Sequence, residues 1–331
     1  MKNKIGLGII GRNFGYNVIY KSFLKNKNFK ILGFSFKSKK NNKLKIGKKI
    51  KIYPDWKNLI LDKNIDAIVI ATPPALNSKI IKFAIKHNKH IFCEKPFTHS
   101  TKESNYICKL IKKKNLSHMV NYEFPEIDAF NFFKSKILRK KILINKINLD
   151  WIINFRKRPK KNWKDKHKSG GGIMFNFVCH AIYYLEFLFG KIISTKSNVV
   201  LNKKNYLTSI VNFQTGLSAK INIRSLTKTS NIKPLHQLRI MSNKDNYLLK
   251  SKIDRLSDKF ELIKNNKLLF KNKNNNVDFR VIPTFNNSKK FSTWILKKKI
   301  QKPNFFSGRR IHLIIDKMLL SSKKGKKIQV I

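Results

Sequence analysis

Between an apolar run and a helical pattern near the start of the chain stands Gly8-Ile9-Ile10-Gly11-Arg12-Asn13-Phe14-Gly15. A dinucleotide-binding turn needs glycine where the backbone turns sharply and where a pyrophosphate comes against the amides of a helix N-terminus. Gly11 and Gly15 meet that need, with Arg12 and Phe14 between them. The middle motif position holds Asn13, the non-glycine type that best tolerates a positive φ. A strand-to-helix turn with no ligand is the competing reading. The end of the next apolar run reports which dinucleotide is bound, because an acidic side chain there accepts hydrogen bonds from a ribose 2′-hydroxyl. This chain has Ser35-Phe36-Lys37-Ser38 instead. With no carboxylate, and with Ser35 and Lys37 available for a 2′-phosphate, NADP is slightly favoured over NAD. Lys37 as one more solvated lysine is the alternative.

The elements that must hold this turn show as an alternation. Apolar runs at Ile5 to Ile10, Phe29 to Ser35, Ile50 to Tyr53, Ala67 to Ala71, His90 to Cys93 and His118 to Asn121 alternate with helical patterns over Phe14 to Leu24, Pro54 to Leu61, Leu76 to His87 and Ser100 to Lys114. Strand, helix and strand at that spacing predict a doubly wound parallel sheet. Ser100-Thr101-Lys102-Glu103 opens the last helix as a capping box. After Tyr122 the pattern changes. Leu143 to Ile153, Ile192 to Val200, Leu207 to Phe213, Ser218 to Ile223 and His236 to Met241 read as β-rich runs around one helix from Gly172 to Gly190. At roughly 150 residues per domain, 331 residues make about two domains.

The chain carries 73 Lys+Arg against 17 Asp+Glu, a net charge of +56. Such a balance raises the question of a phosphate-bearing polymer, since clustered Lys and Arg displace condensed counterions. The lysines are scattered through every segment, in short groups such as Lys112-Lys113-Lys114 and Lys298-Lys299, and they accompany a surplus of Asn and Ile, the other residues of AT-rich codons. The charge therefore reads as a solvated surface, and no specific nucleic-acid partner is expected. Cys93, Cys108 and Cys179 are odd in number and lack C-x-x-C spacing, so neither a disulfide framework nor a metal is expected. Met1-Lys2 leads directly into the first strand without the layout of a signal peptide, and the apolar run Phe175 to Phe189 is broken by Asn176, His180 and Glu186. No membrane span is expected, and a cytoplasmic location is.

The fourth strand ends in Ala71-Thr72-Pro73-Pro74 and the fifth in Glu94-Lys95-Pro96. Together with the Gly11 to Gly15 turn, Val120-Asn121-Tyr122, Trp163-Lys164-Asp165, the segment Gly170-Gly171-Gly172 to His180, and Phe306-Ser307-Gly308-Arg309-Arg310 with Ser321-Ser322 and Gly325-Lys326, these landmarks fall in a specific order. The ordered set resembles the glucose-fructose oxidoreductase / inositol dehydrogenase (Gfo/Idh/MocA) family from about residue 5 to 330. The resemblance implies an N-terminal Rossmann domain at 1–121 that binds NAD(P), and an α+β domain at 122–331 with an open, largely antiparallel sheet for substrate binding and homo-oligomerisation. It implies an NAD(P)-dependent dehydrogenase or reductase acting on a secondary alcohol or ketone of a sugar, nucleotide-sugar or polyol. Cofactor contacts then fall to Gly11, Arg12, Asn13, Phe14, Gly15, Ser35, Lys37, Thr72, Pro73, Pro74, Glu94 and Lys95. Substrate contacts fall to Lys95, Asn121, Trp163, Asn176 and His180, with specificity in loops such as 155–169.

Oxidising an alcohol moves a hydride to the nicotinamide while a base removes the hydroxyl proton. Lys95 follows a strand at the carboxyl edge of the sheet, where an open α/β fold puts its ligands. By resemblance, His180 is its acid–base partner. Two positions depart from the family: Asn176 where an acid commonly precedes the histidine by four residues, and Tyr183 where one commonly follows by three. Asn176 and His180, at i and i+4, share a helix face, yet an amide cannot accept a proton at neutral pH. Asn13 in the glycine turn and Pro125, where relatives often carry Arg, depart as well. A nucleotide-binding module of the same fold with weakened catalysis is the alternative these departures raise.

Overall fold

The computed structural model describes residues 4–36, 46–140, 142–153, 163–201, 205–226, 232–251, 260–271 and 278–330. Lys37 and the part of the 155–169 loop before Trp163 lie outside the described residues. The chain forms two compact units: Met1–Glu123 with Lys168–Gly170 and Arg280–Arg310, and Phe124–His167 with Gly171–Phe279 and Ile311–Ile331. The division is therefore not a single point, since residues 280–310 return to the first unit.

The first unit runs β1 (Ile5–Ile10), a π-helical turn (Gly15–Tyr20) continuing as α1 (Lys21–Leu24), β2 (Phe29–Ser35), β3 (Lys51–Tyr53), α2 (Trp56–Leu61), β4 (Ala67–Ile70), α3 (Pro74–Lys86), β5 (His90–Glu94), α4 (Thr101–Lys112) and β6 (His118–Asn121). All strand pairs are parallel, in the order β3-β2-β1-β4-β5-β6. This is the doubly wound arrangement, whose strand order reverses on either side of β1. Every residue of β1 and β4 is buried, as strands covered on both faces must be. The Ser100 hydroxyl accepts from Glu103 N–H at the start of α4 (3.3 Å), while the Glu103 carboxylate faces Lys82 at 3.6 Å. The helix expected over 14–24 is α-helical only in part, because its first full turn bonds i to i+5.

The second unit contains α5 (Asp128–Phe132), β7 (Ile144–Ile153), a π-helical turn (Met174–Val178) running into α6 (Cys179–Phe189), β8 (Ile192–Val200), β9 (Tyr206–Phe213), β10 (Ser218–Ser225), β11 (Leu235–Ser242), β12 (Asn246–Ser251), β13 (Phe260–Lys264) and β14 (Lys267–Lys271). Helix α7 (Val281–Lys297) then belongs to the first unit, α8 (Phe305–Lys324) begins there, and β15 (Ile328–Gln329) closes the second. The nine strands order as β14-β13-β12-β11-β7-β10-β9-β8-β15. Only β7 and β10 run parallel among these pairs, so the sheet is mixed but largely antiparallel. On β10, Ala219, Ile221 and Ile223 are buried while Lys220 and Arg224 are exposed, the period-2 signature of a sheet packed on one face. Phe124 gathers the buried aromatic cluster on that inner face, within 6.0 Å of Phe130, Trp151, Tyr184, His236 and Phe260 ring to ring.

Helix α7 covers one side of the first unit's sheet. Phe291 stacks on Phe29 (5.9 Å) and tilts against Phe92 (5.7 Å), and Trp294 and Ile295 join the same core as Leu7, Ile9, Val69 and Met119. Some of its polar contacts are buried: Asn26 donates to Ser288 (3.0 Å), and Ser22 donates to the Val281 carbonyl (2.9 Å). Among the described residues no helix is long and apolar enough to cross a membrane.

Candidate active site

Gly11 is the residue that lets β1 turn into a helix. It adopts φ +123, and a Cβ built there falls 2.3 Å from the Ala71 carbonyl oxygen at the end of β4. Its N–H donates to the Ser35 carbonyl (2.9 Å), tying the turn to the end of β2. Tyr16 N–H donates to the Arg12 carbonyl (2.7 Å), so helical bonding begins immediately beyond the turn. Asn13 is exposed and is not among the positive-φ residues, so the left-handed conformation that its type tolerates is carried by Gly11 alone. Gly15 is buried, and a Cβ there meets Ile9 and Ala71 only at ordinary contact distance (3.6 and 3.8 Å).

A dinucleotide fits this donor set. The turn sits at the strand-order reversal, its backbone comes close only because Gly11 lacks a side chain, and a helix N-terminus follows. Gly11→Ala is accordingly expected to strain the backbone and drive a methyl into the Ala71 carbonyl, destabilising the protein by about 3 kcal/mol or more. A shift of the urea midpoint measures it, and a change below about 1 kcal/mol refutes the steric account.

At the end of β2 the Arg12 guanidinium lies 5.9 Å from the Phe36 ring, while Ser35 is 3% exposed. Past β4, the Thr72 hydroxyl donates to Asn77 (2.6 Å), whose amide donates to the Pro96 carbonyl (3.3 Å), joining the loops after β4 and β5. Pro73 is the N-cap residue of α3, and Pro74 is its buried first residue. Lys95 is the first residue beyond the β5 ladder, whose last pair is Glu94 with Asn121 of β6. Both Glu94 and Lys95 are half-buried. Burial, and after it the like charge of Glu123, hold the Glu94 carboxyl above the usual carboxylate range, opposed by the Asn121 hydrogen bond and the cations Lys95 and Arg280.

Asn121, expected at the substrate, is instead fully buried. Its amide donates to Glu94 (2.5 Å) and Thr284 (3.0 Å) and accepts from Asn287 (3.1 Å). Arg280, at the N-cap of α7, lies 5.0 Å from the Phe14 ring of the glycine turn. Arg280, Thr284, Asn287 and Glu123 carry no motif, and sequence reasoning does not reach them.

In the second unit, the glycine run holds Trp163. A Cβ on Gly171 falls 2.2 Å from the Trp163 carbonyl oxygen, and Gly171 N–H donates to the Lys166 carbonyl (3.0 Å). Asn176 donates to the Lys164 carbonyl (2.7 Å). It lies inside the π-helical turn, where bonding runs i to i+5, so the regular i, i+4 face expected with His180 is interrupted. His180 is 3% exposed, its ring 5.0 Å from Phe124. The Tyr183 hydroxyl is driven well above its ordinary range by burial and by Glu126 and Glu186, so it is a neutral donor at this position. Among the described residues no group of His, Cys, Asp or Glu is placed to hold a metal ion.

The glycine turn, the strand order and the parallel sheet define a dinucleotide-binding unit joined to a mixed-sheet unit. The family model described as an oxidoreductase family with an NAD-binding Rossmann fold matches residues 5–122, and the model of the same family's C-terminal alpha/beta domain matches residues 137–239. The chain belongs to the Gfo/Idh/MocA oxidoreductase family. It is 28% identical over 151 residues to an uncharacterized oxidoreductase of Synechocystis, covering 44% of this chain and 40% of that protein. It is 29% identical over 148 residues to levoglucosan dehydrogenase of Pseudarthrobacter phenanthrenivorans, covering 41% and 36%. The sequence match thus spans about 40% of the length of these curated relatives. A solved levoglucosan dehydrogenase in complex with NADH has the same fold over 99% of both chains, with a TM-score of 0.84 at 16% identity.

Proposed function

We propose that the protein is an NAD(P)-dependent oxidoreductase that interconverts a secondary alcohol and a ketone of a sugar, nucleotide-sugar or polyol. The observation that carries this reading is Lys95, set one residue past the β5 ladder at the same carboxyl edge of the sheet as the Gly11 turn. When bound, the nicotinamide cofactor accepts or returns the hydride. Gly11 and the amides beyond it would receive the pyrophosphate, and Lys95 Nζ would exchange the proton of the reacting oxygen. The choice of a carbohydrate substrate is supported by the levoglucosan dehydrogenase relative.

NADP is the preferred cofactor in this reading. No carboxylate follows β2, and the Arg12 guanidinium beside Phe36 is a cation suited to a 2′-phosphate. A second reading, cofactor binding without hydride transfer, is favoured by one specific observation: Asn176 holds the Lys164 carbonyl and cannot accept a proton. One experiment separates the two. The purified protein is titrated with NADH and NADPH by fluorescence, then assayed on a panel of sugars, anhydrosugars and polyols in both directions. Micromolar binding with steady turnover is expected; binding without turnover on any member selects the second reading, and no binding of either nucleotide sinks both.

A further inference from the structure

Three elements that are remote in sequence meet in one buried polar cluster of the first unit. Asn121 ends β6, Glu94 ends β5, and Thr284 and Asn287 lie one turn apart on α7. Asn121, Thr284 and Asn287 are all 0% exposed. The Asn121 amide group donates to Glu94 Oε1 and to Thr284 Oγ1, and its oxygen accepts from Asn287 Nδ2, which also reaches the Tyr122 carbonyl (3.4 Å). An amide held at both ends in this way has no freedom to rotate. Burying three polar side chains contributes little to stability compared with apolar packing, since their desolvation is offset only while every bond is made. The rest of α7 shows that apolar packing was available, because Phe291, Trp294 and Ile295 provide it two turns further on.

We propose that Thr284 and Asn287 are positioning residues for the reaction: they lock the Asn121 amide, which fixes the Glu94 carboxyl and so the strand end that presents Lys95. The proposal rests on the reading of Lys95 as a proton-exchanging group. Its physical content is that α7 sets the charge state next to Lys95. An N–H aimed at a carboxylate favours the ionised form, so Asn121 opposes burial and the Glu123 charge in holding Glu94 partly ionised. The charged groups acting on Glu94 are Glu123, Lys95 and Arg280, and Asn121 is its hydrogen-bonding neighbour. Loosening Asn121 removes one of the influences that favour the ionised carboxylate, and the proton is then held more tightly beside Lys95.

The test uses the full chain with carboxyl-labelled glutamate, its Glu94 resonance identified by Glu94→Gln. Thr284→Val and Asn287→Ala are compared with wild type and with the conservative Thr284→Ser. In the first two variants the Glu94 titration midpoint is expected to move up by about half a pH unit or more. Turnover is expected to fall about tenfold with NADPH affinity changed less than twofold, and Thr284→Ser is expected to restore both readings. A Glu94 midpoint identical to wild type in both variants overturns the proposal, as does unchanged turnover alongside a moved midpoint. A residue that only stabilised the fold would shift the urea midpoint and leave the Glu94 titration in place. If the protein turns over no substrate at all, the dehydrogenase reading fails, while the titration still decides whether α7 controls Glu94.

Discussion

Lys95→Ala is expected to lower turnover by about 10²–10⁴-fold, the range of a positioned general acid or base, while binding of the nicotinamide nucleotide changes less than about threefold. The expectation follows from where the lysine stands. Strand β5 is paired on both sides, with β4 from Ala67 to Ile70 and with β6 as far as Glu94 and Asn121, so its end is held from two directions. Lys95 is the next residue, half-buried, following a carboxyl that Asn121 pins. Lys95→Arg is expected to fail as well, because a guanidinium remains charged at every working pH and cannot release the proton that the reaction exchanges. Steady-state turnover on the best substrate from the panel, with a nucleotide titration of the same preparations, checks both halves. A Lys95→Ala protein that keeps more than a tenth of wild-type turnover removes Lys95 from the chemistry.

The second large effect is acid destabilisation. His118 and His236 are buried and are pushed down to about 3 by that burial, and His90 to about 4 by burial and then by the nearby Lys298 cation. The geometry agrees with neutral rings. His90 Nδ1 accepts from Ser117 N–H (2.9 Å), His118 Nδ1 accepts from Phe305 N–H (3.2 Å), and His236 Nε2 meets the Tyr184 hydroxyl (2.9 Å). Protonating any of them forfeits an acceptor as well as burying a charge. The unfolded chain takes up these protons near pH 6.5 and the folded chain only near 3 to 4, so stability is fully present above about 6.5 and is lost as pH falls toward the folded values. Glu94 acts in the opposite sense between the ordinary carboxylate value and its raised one, because there the folded state holds the extra proton. The loss is therefore steepest below about pH 5, where His118 and His236 together contribute about 3 kcal/mol per pH unit. Urea midpoints at pH 7.5, 5.0 and 4.0 measure the slope. A His118→Asn/His236→Asn protein with an unchanged slope contradicts the assignment.

Legibility in the sequence followed burial and turn chemistry. Strands β1, β2 and β6 have the bounds read from the sequence, and β1 is the plainest of them because a parallel strand covered on both faces is apolar throughout. The Gly11 turn is legible because only glycine fits φ +123 against the Ala71 carbonyl. Helix α7 is not, because its sequence mixes Thr284, Asn287, Ser288 and Ser292 with an apolar face, and those polar residues are buried only by virtue of partners more than 160 positions away. For the same reason Asn121 is legible as a landmark while its contacts are not: its partners arrive from β5 and α7. The π-helical turns at Gly15–Tyr20 and Met174–Val178 escape pattern reading because i to i+5 bonding has no composition of its own within an otherwise helical run.

The return of residues 280–310 to the first unit bears on how the protein is made. During synthesis the six parallel strands emerge before α7, so the sheet face that Phe291, Trp294 and Ile295 cover stays open until residues 281–297 have been made. The nucleotide-binding half thus waits on contacts of very long sequence separation, and such contacts form slowly. Until then Phe29, Phe92 and Met119 lack the cover that α7 gives them in the folded protein. A nascent chain in that state is a client for chaperones, and the heavy lysine decoration keeps it from its neighbours by charge repulsion until α7 arrives.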